Sequence, residues 1–537
     1  MQFCAYKLSP AQMYTLLPSA VKKRCSTLLK EKPGPTFGDL QLSSELLRYQ
    51  SVKTAKDLWL HFSKKFDILG NVVLNAVSKE QATRLQGLII STQKELDRIS
   101  LSLLVNLEGL GRVDGKAAAR IDGLNRLSFI VQSRIQELQN PPDCLKAKFL
   151  LADISRTCGY GCHAHYLMYC LHMAYATGRT LLLQSQEGFG GWWAEYYEPF
   201  SYKCSMNDVV EGEIIEDLDY TNIYSDSRLV HCKFDVFTHS QNISIAPPAV
   251  PEDLVEALRP LHGQPSVWFL GQLAQYIMRP RLNLQRQLDA LLLQYQFTER
   301  VKRPIVGVHI RRTDKVTATE GEFHELSEYM KHVKRYFDYI EEQRRFAARI
   351  HEWNNDILLP ERSKPYKLYR HVFLATDDPR VFREARENYP EYVFFGDPET
   401  AMSAQVQERD GEYSRTNIAL DIHLLSRTDY IVCTLSSNVC RVAYELMQTR
   451  HEDLGDGGSL VQTLDTSFFW DGGQTITCEM IFDDEDLDLR RGDIVPVWSG
   501  NLNAIYENER LMNKTYFMDT PYKCIPRLIS AKIGDYS

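Results

Sequence analysis

The sequence predicts an α/β protein organised on a doubly wound parallel sheet, and three stretches predict it. Residues 305–310, 371–376 and 430–434 are short, almost unbroken apolar runs. Such runs mark strands buried on both faces. Each run breaks into polar residues: Arg311-Arg312-Thr313-Asp314-Lys315, Asp377-Asp378-Pro379 and Ser436-Ser437-Asn438. Helical patterns separate them, at 326–345, 420–425 and 439–447. Strand, polar turn and helix in succession build parallel sheets with right-handed crossovers. Ligands of such sheets bind at the carboxyl ends of the strands, so Arg311, Asp377 and Ser437 are expected on one edge.

The bulk composition bounds the rest. A chain of 537 residues exceeds a single core and predicts two to four domains. Hydrophobic content of 44% with 25% charge is that of a globular protein. A net charge of −8 argues against a general nucleic-acid binder, so no nucleic acid partner is expected and any basic site is local. No apolar stretch is long enough to span a membrane. Lys22-Lys23-Arg24 and Lys30-Glu31-Lys32 break up the first 40 residues, which hold no signal-peptide core.

Twelve cysteines include two close pairs, Cys158 with Cys162 and Cys433 with Cys440. The first could be half a zinc site or a redox motif, but nothing nearby completes a tetrahedral set. Disulfides, and with them an oxidising compartment, are the favoured reading. Sequons at Asn242-Ile-Ser244 and Asn513-Lys-Thr515 are compatible with it. The missing leader conflicts with it. Either the natural amino terminus lies outside this sequence or the cysteines are mostly reduced.

In chain order, residues 1–38 read as a tail ending in Lys32-Pro-Gly-Pro-Thr-Phe-Gly38. Residues 39–142 are helical. Leu85, Ile89, Thr92, Leu96, Ile99 and Leu103 form a seam at alternating four- and three-residue steps, and Leu124, Leu127, Val131, Arg134 and Leu138 form another. These suggest a coiled-coil dimerisation arm or, equally, helices packed on their own domain. Residues 143–300 form a first α/β subdomain, with a helix over 166–175, a strand over 180–183, and helices entered at Glu252-Asp253 and at Trp268. Its Gly190-Gly191-Trp192-Trp193 turn offers a sugar platform or plain core packing. Residues 301–460 form the Rossmann-type subdomain. Residues 475–531 read as a small barrel of the SH3 type, with Cys478 and Cys524 on its first and last strands.

The strand end at 311–315 carries the chemistry. Two guanidiniums and an ammonium suit a phosphate-bearing ligand, since Arg meets phosphate in bidentate geometry and Lys acts as a point charge. The alternative is a solvated basic loop.

Gly307-Val-His-Ile-Arg-Arg-Thr-Asp-Lys-Val316, Ala375-Thr-Asp-Asp-Pro379, Leu420-Asp-Ile-His-Leu-Leu425 and the segment from Cys433 to Glu445 together closely resemble the α1,6-fucosyltransferases that modify the N-glycan core. The resemblance runs from about residue 40 to the end. It implies a GT-B-like architecture and inverting transfer from GDP-fucose, without cofactor or metal, to the 6-hydroxyl of the asparagine-linked GlcNAc of N-glycan glycoproteins. It implies Glu320 as general base, chosen over Glu322 because Thr319 precedes it. Arg311 and Lys315 would meet the diphosphate with Arg312 in support, His309 and Asp421 would hold guanine, and Ser437 and Asn438 would contact the phosphates. Asp314, Tyr329, Asp377 and Asp378 complete the donor set, and Arg156, Asp235 and Asp465 are the acceptor candidates. It further implies disulfides Cys144–Cys204, Cys158–Cys162 and Cys433–Cys440, a homodimer through the helical arm, and the Golgi lumen.

Four positions depart from the family pattern. Asn438 stands where the family has Gln, Arg156 where it has Lys, and Ala152 where it has the cysteine partner of Cys170. Cys170 is therefore free or paired with another cysteine such as Cys232. The family's histidine is missing around Gly500-Asn501-Leu502, which puts glycan contacts from the carboxyl-terminal barrel in question. Two other functions compete: a fucosyltransferase for a protein hydroxyl or a chito-oligosaccharide, and an interaction protein using its barrel and coiled coil. The complete donor constellation would have no purpose in the second.

Overall fold

The computed structural model describes residues 39–76, 79–154, 158–184, 192–209, 216–218, 226–232, 245–297, 303–313, 323–353, 368–405, 408, 411–451, 460–465, 468, 470, 477–480, 483, 489–496 and 524–531. The tail at 1–38 lies outside them.

Three long helices open the described part of the chain: α1 (Asp39–Ala76), α2 (Lys79–Val113) and α3 (Lys116–Gln139). α1 and α2 pack together through Val52, Ala55 and Leu104. The seam read from the sequence is not this contact, because Leu85, Ile99 and Leu103 are exposed. Burial shifts to Leu101, Leu104 and Val105. The second seam does not belong to an arm. Leu124, Leu127 and Val131 are buried in the main core, and Arg134 pairs with Asp253 at 2.6 Å. Heptad spacing marks an apolar stripe but not its partner, and here the partner is the protein's own first α/β half.

That half carries β1 (Phe149–Ala152), α4 (Tyr160–Thr177), β2 (Thr180–Leu183), β3 (Glu216–Leu218) and β4 (Leu229–Cys232), in a parallel sheet of order β2-β1-β4-β3. It continues with β5 (Val250–Pro251), α5 (Glu252–Leu258), α6 (Pro265–Ile277) and α7 (Leu282–Gln294). The tryptophan pair is no sugar platform. Trp192 and Trp193 are buried, in ring contact with each other, and both face Tyr160.

The second half holds β6 (Ile305–Ile310), α8 (Leu326–Trp353), β7 (His371–Thr376), α9 (Arg380–Asn388), β8 (Val393–Phe395), α10 (Pro398–Ser403), α11 (Glu412–Leu425), β9 (Tyr430–Cys433), α12 (Asn438–Met447) and β10 (Val461–Thr463). Its strands are parallel in the order β10-β9-β6-β7-β8. The expected strands fall where the apolar runs lie, and β6 and β7 are buried at every residue.

The halves share one apolar cluster, which runs from Leu124 and Leu150 through Met168 and Trp268 to Cys433 and Tyr444. Helices α4 and α6 of the first half meet α12 of the second at glycines. A Cβ on Gly161 would lie 2.8 Å from the Asn438 carbonyl carbon, and one on Gly271 would lie 2.3 Å from the Glu445 carbonyl oxygen.

Beyond 475, β11 (Thr477–Met480), β12 (Ile494–Pro496) and β13 (Cys524–Pro526) form a three-stranded antiparallel sheet, and β14 (Ser530–Ala531) returns to pair with β5. Cys478 lies opposite Pro526 and Cys524 opposite Met480, so these two cysteines sit on adjacent strands, two positions out of register.

Disulfides join Cys144 to Cys204, Cys158 to Cys162, Cys433 to Cys440, and Cys170 to Cys232. The partner for Cys170 is thus the one left open by the sequence. No described helix is long and apolar enough to cross a membrane.

Candidate active site

The site begins with register. β6 pairs with β7 so that Ile310 lies opposite Thr376, and with β9 so that Val308 lies opposite Val432. Three polar strand ends therefore finish side by side, as parallel sheets require at their ligand edge.

Asp377 ties the first two together. Its carboxylate accepts from the backbone N–H of Arg312 at 2.8 Å, the N–H of Thr313 at 3.2 Å and the Thr313 hydroxyl at 2.5 Å. Arg311 Nε lies 3.9 Å from the same carboxylate. A buried carboxylate is stabilised by several donors, and these are the donors that fix the turn after β6.

Arg312 is an anchor. Its guanidinium donates to Glu384 at 2.9 Å and to the His324 carbonyl at 3.3 Å, stacks over Phe323, and leaves the side chain only 8% exposed. Asp378 lies 4.0 Å away but belongs chiefly to Arg380, which reaches it at 2.8 and 3.0 Å. Burial pushes the Asp378 carboxyl up, but the Arg380 hydrogen bonds outweigh it and hold the group below its ordinary range. Asp378 also accepts the Arg380 backbone N–H at 3.1 Å where α9 begins.

The third strand end leads through Ser436 into α12. Asp465, just past β10, accepts the backbone N–H groups of Leu435 at 2.8 Å and Ser436 at 3.2 Å. It braces the turn that presents Ser437 and Asn438 at the helix amino terminus. Ser437 is buried, and its hydroxyl meets no hydrogen-bond partner in the described protein. The Cys433–Cys440 disulfide clamps this turn by joining β9 to α12.

Tyr329, in the first turn of α8, lies between the two groups. Its phenol is pushed up first by burial and then by the charge of Asp465, with Arg312 pulling the other way.

His309 and Asp421 share a sheet face. A Cβ on Gly307 would meet Thr428 and Leu425, so that face of β6 is covered by the end of α11 and the turn after it. Strand alternation puts His309 on the same face, and helix periodicity puts Asp421 one turn before Leu425. Burial pushes the Asp421 carboxyl up to about 8, and the charge of Asp397 adds to the shift.

Asp314, Lys315, Glu320, Glu322, Arg156 and Asp235 lie outside the described residues. No described group of three or more His, Cys, Asp or Glu side chains is arranged to hold a metal ion.

A family model for alpha-(1,6)-fucosyltransferase N- and catalytic domains matches residues 14–465. The alpha-(1,6)-fucosyltransferase of Drosophila melanogaster is 34% identical over 488 residues, covering 87% of this chain and 71% of its own. This chain belongs to the alpha-(1,6)-fucosyltransferase family. The Caenorhabditis elegans alpha-(1,6)-fucosyltransferase is 33% identical over 77% of this chain and 70% of its own. Among solved structures, NodZ alpha-1,6-fucosyltransferase soaked with GDP-fucose aligns at 16% identity over 56% of this chain and 93% of its own, with a TM-score of 0.33. POFUT1 in complex with GDP aligns at 12% identity over 60% and 99%, with a TM-score of 0.29.

In this fucosyltransferase, the described candidate residues divide by position. Arg311, Ser437 and Asn438 stand at the strand-end edge. Arg312, Asp377 and Asp465 hold that edge in shape. Sequence reasoning missed Glu384 and the bracing role of Asp465. Glu384 carries no motif, and Asp465 follows a three-residue edge strand, β10, too short to show a pattern.

Proposed function

We propose that the enzyme moves fucose from GDP-fucose to the 6-hydroxyl of the asparagine-linked GlcNAc of N-glycans, with inversion, on a GT-B-like pair of α/β halves. The observation that carries this reading is the alignment of the cationic end of β6 with the amino terminus of α12 across adjacent strands. Glu320 takes the proton from the 6-hydroxyl as that oxygen attacks the fucose anomeric carbon. The bond to the diphosphate breaks, and its electron pair leaves with GDP. A positioned base contributes about 10²–10⁴-fold. Arg311 and Lys315 stabilise charge that grows on the leaving group, which favours the transition state over the ground state. Asp314 supports that end, Tyr329 and Asp378 line the fucose side, and His309 with ionised Asp421 accept and fix the guanine edge. Arg156, Asp235 and Asp465 are assigned to the acceptor side, with Asp465 acting through the turn it braces.

The remaining parts follow the same reading. Exposed Leu58, Phe62, Ile68, Leu88, Ile99 and Leu103 on α1 and α2 support a homodimer through a coiled-coil arm. The antiparallel sheet β12-β11-β13 supports the SH3-like domain. Four disulfides support an oxidising lumen, the Golgi by family.

The test is transfer from GDP-fucose to a defined N-glycan, with and without chelator, for the wild type, Arg311→Ala and Glu320→Gln. Fucose on the 6-hydroxyl of the innermost sugar, insensitive to chelator and reduced at least about 10²-fold in both variants, is the expected result. Donor hydrolysis without transfer would leave the donor half standing and send the acceptor to a protein hydroxyl or a chito-oligosaccharide.

A further inference from the structure

Asn438 is the first residue of α12, and its side chain is held by two neighbours. Arg441, one turn along the helix, donates to Asn438 Oδ1. His165, on α4 of the other half, has Nδ1 at 3.1 Å from the same oxygen. Arginine carries only donors, so the atom it meets must be the amide oxygen and not the nitrogen. His165 Nδ1 must therefore carry a hydrogen and donate as well. The opposite ring nitrogen, Nε2, lies 3.2 Å from Glu445 Oε1. Glu445 is fully buried on α12, two turns beyond Asn438, and His165 is 6% exposed. The edge of the ring rests on Trp470, with centroids 5.0 Å apart. The histidine is thus fixed at both nitrogens and by an aromatic wall.

The amide geometry has a directional consequence. With Oδ1 held inward by two donors, the NH₂ group is the end left over. Asn438 is partly exposed, and this NH₂ has no hydrogen-bond partner among the described residues. It stands at the amino terminus of a ten-residue helix, beside Ser437. A donor aimed outward there adds to the helix dipole for an anion. With the amide reversed, its oxygen would oppose the anion.

We infer that His165 is a positioning residue for the nucleotide donor, and that its Nδ1 side orients the Asn438 amide so that its NH₂ points at the diphosphate. This rests on the donor site proposed above. The ring orients the amide and the amide contacts the ligand, while Glu445 receives the far side of the ring. The arrangement also ties the helix of one half to the phosphate turn of the other.

The two ring nitrogens separate this role from simple packing. Asn at position 165 can place an amide N–H near the Nδ1 position, whereas Gln places its amide near Nε2. His165→Asn keeps the contact to Asn438 and loses Glu445. His165→Gln keeps Glu445 and loses Asn438. GDP affinity by calorimetry and the KM values for GDP-fucose and acceptor would be measured for both variants and for Asn438→Asp, alongside thermal melting. The inference expects His165→Gln to weaken GDP binding about tenfold and to raise the donor KM without moving the acceptor KM. His165→Asn stays within about threefold of wild type. Asn438→Asp, which keeps the inward oxygen and replaces the NH₂ with a charge, loses GDP binding by at least tenfold. Equal losses in the Asn and Gln variants, or losses that track melting temperature alone, overturn the inference. Wild-type protein that fails to bind GDP overturns both it and the donor site. Wild-type binding with unaltered variants overturns only the positioning role.

Discussion

The two α/β halves solve the same problem with different means. In the first half, three of the four disulfides among the described residues cross-link the sheet and its flanks, and a cluster of Tyr160, Trp192, Trp193 and Tyr197 fills the space beside them. In the second half, the strand ends are organised by carboxylates: Asp377 for the β6 turn, Glu384 for Arg312 and Asp465 for the α12 turn. Covalent links and aromatic packing preserve a scaffold. Carboxylates accepting backbone N–H groups set the position of a loop to within a hydrogen bond. The difference teaches which half must place charges accurately.

Breaking that contrast at its strongest point means Asp377→Ala. It strands three donors, at roughly 1–3 kcal/mol for each buried group left unpaired. Transfer is expected to fall at least about 10³-fold, with the change in kcat/KM far exceeding the change in melting temperature. Activity within tenfold of wild type would show that the β6 turn holds itself.

The complementary change in the first half is the double replacement Cys170→Ser with Cys232→Ser. Its expected cost is about 2–4 kcal/mol of stability. Calorimetric melting should shift down while GDP affinity at 25 °C stays at the wild-type value. If nucleotide affinity fell in the still-folded protein, the covalent half would be setting the donor site too.

The smallest effect sharpens the comparison by pH. The folded Asp421 carboxyl is raised to about 8, far above its unfolded value. The folded state therefore holds a proton that the unfolded state releases, and stability declines as pH rises from about 4 to about 8. On the proposed assignment the ionised form holds guanine, so GDP affinity is expected to rise about tenfold between pH 7 and pH 9. Asp421→Asn should flatten that profile and raise the melting temperature at pH 9. A profile unchanged in the variant would remove Asp421 from the guanine site.

The second half was legible because its strands are buried on both faces, and continuous apolar runs such as His371–Thr376 carry that signal without periodicity. The chemistry at their ends was legible for the same reason, since charged residues directly after a buried strand have few places to go. The first half was harder. β3 and β4 are three and four residues long, and His231 interrupts the apolar pattern. Helix α3 reads like a dimer seam because spacing describes a stripe and not what covers it. Trp192 and Trp193 follow glycines in a manner that suits either a platform or a core, and only burial decides. His165 carries no local signal, because its meaning lies in residues 273 and 280 positions away.

The glycine contacts at the junction bear on motion. Two-lobed enzymes that close around a ligand do so by hinge or shear motion between the lobes. Here Gly161 and Gly271 bring helices of one half to within contact of the α12 backbone, and a single apolar cluster spans the join. Swinging the halves apart would wet that cluster and break the fit at both glycines. Separating the halves would therefore cost the burial that this shared cluster provides, so the junction itself holds them in one relation.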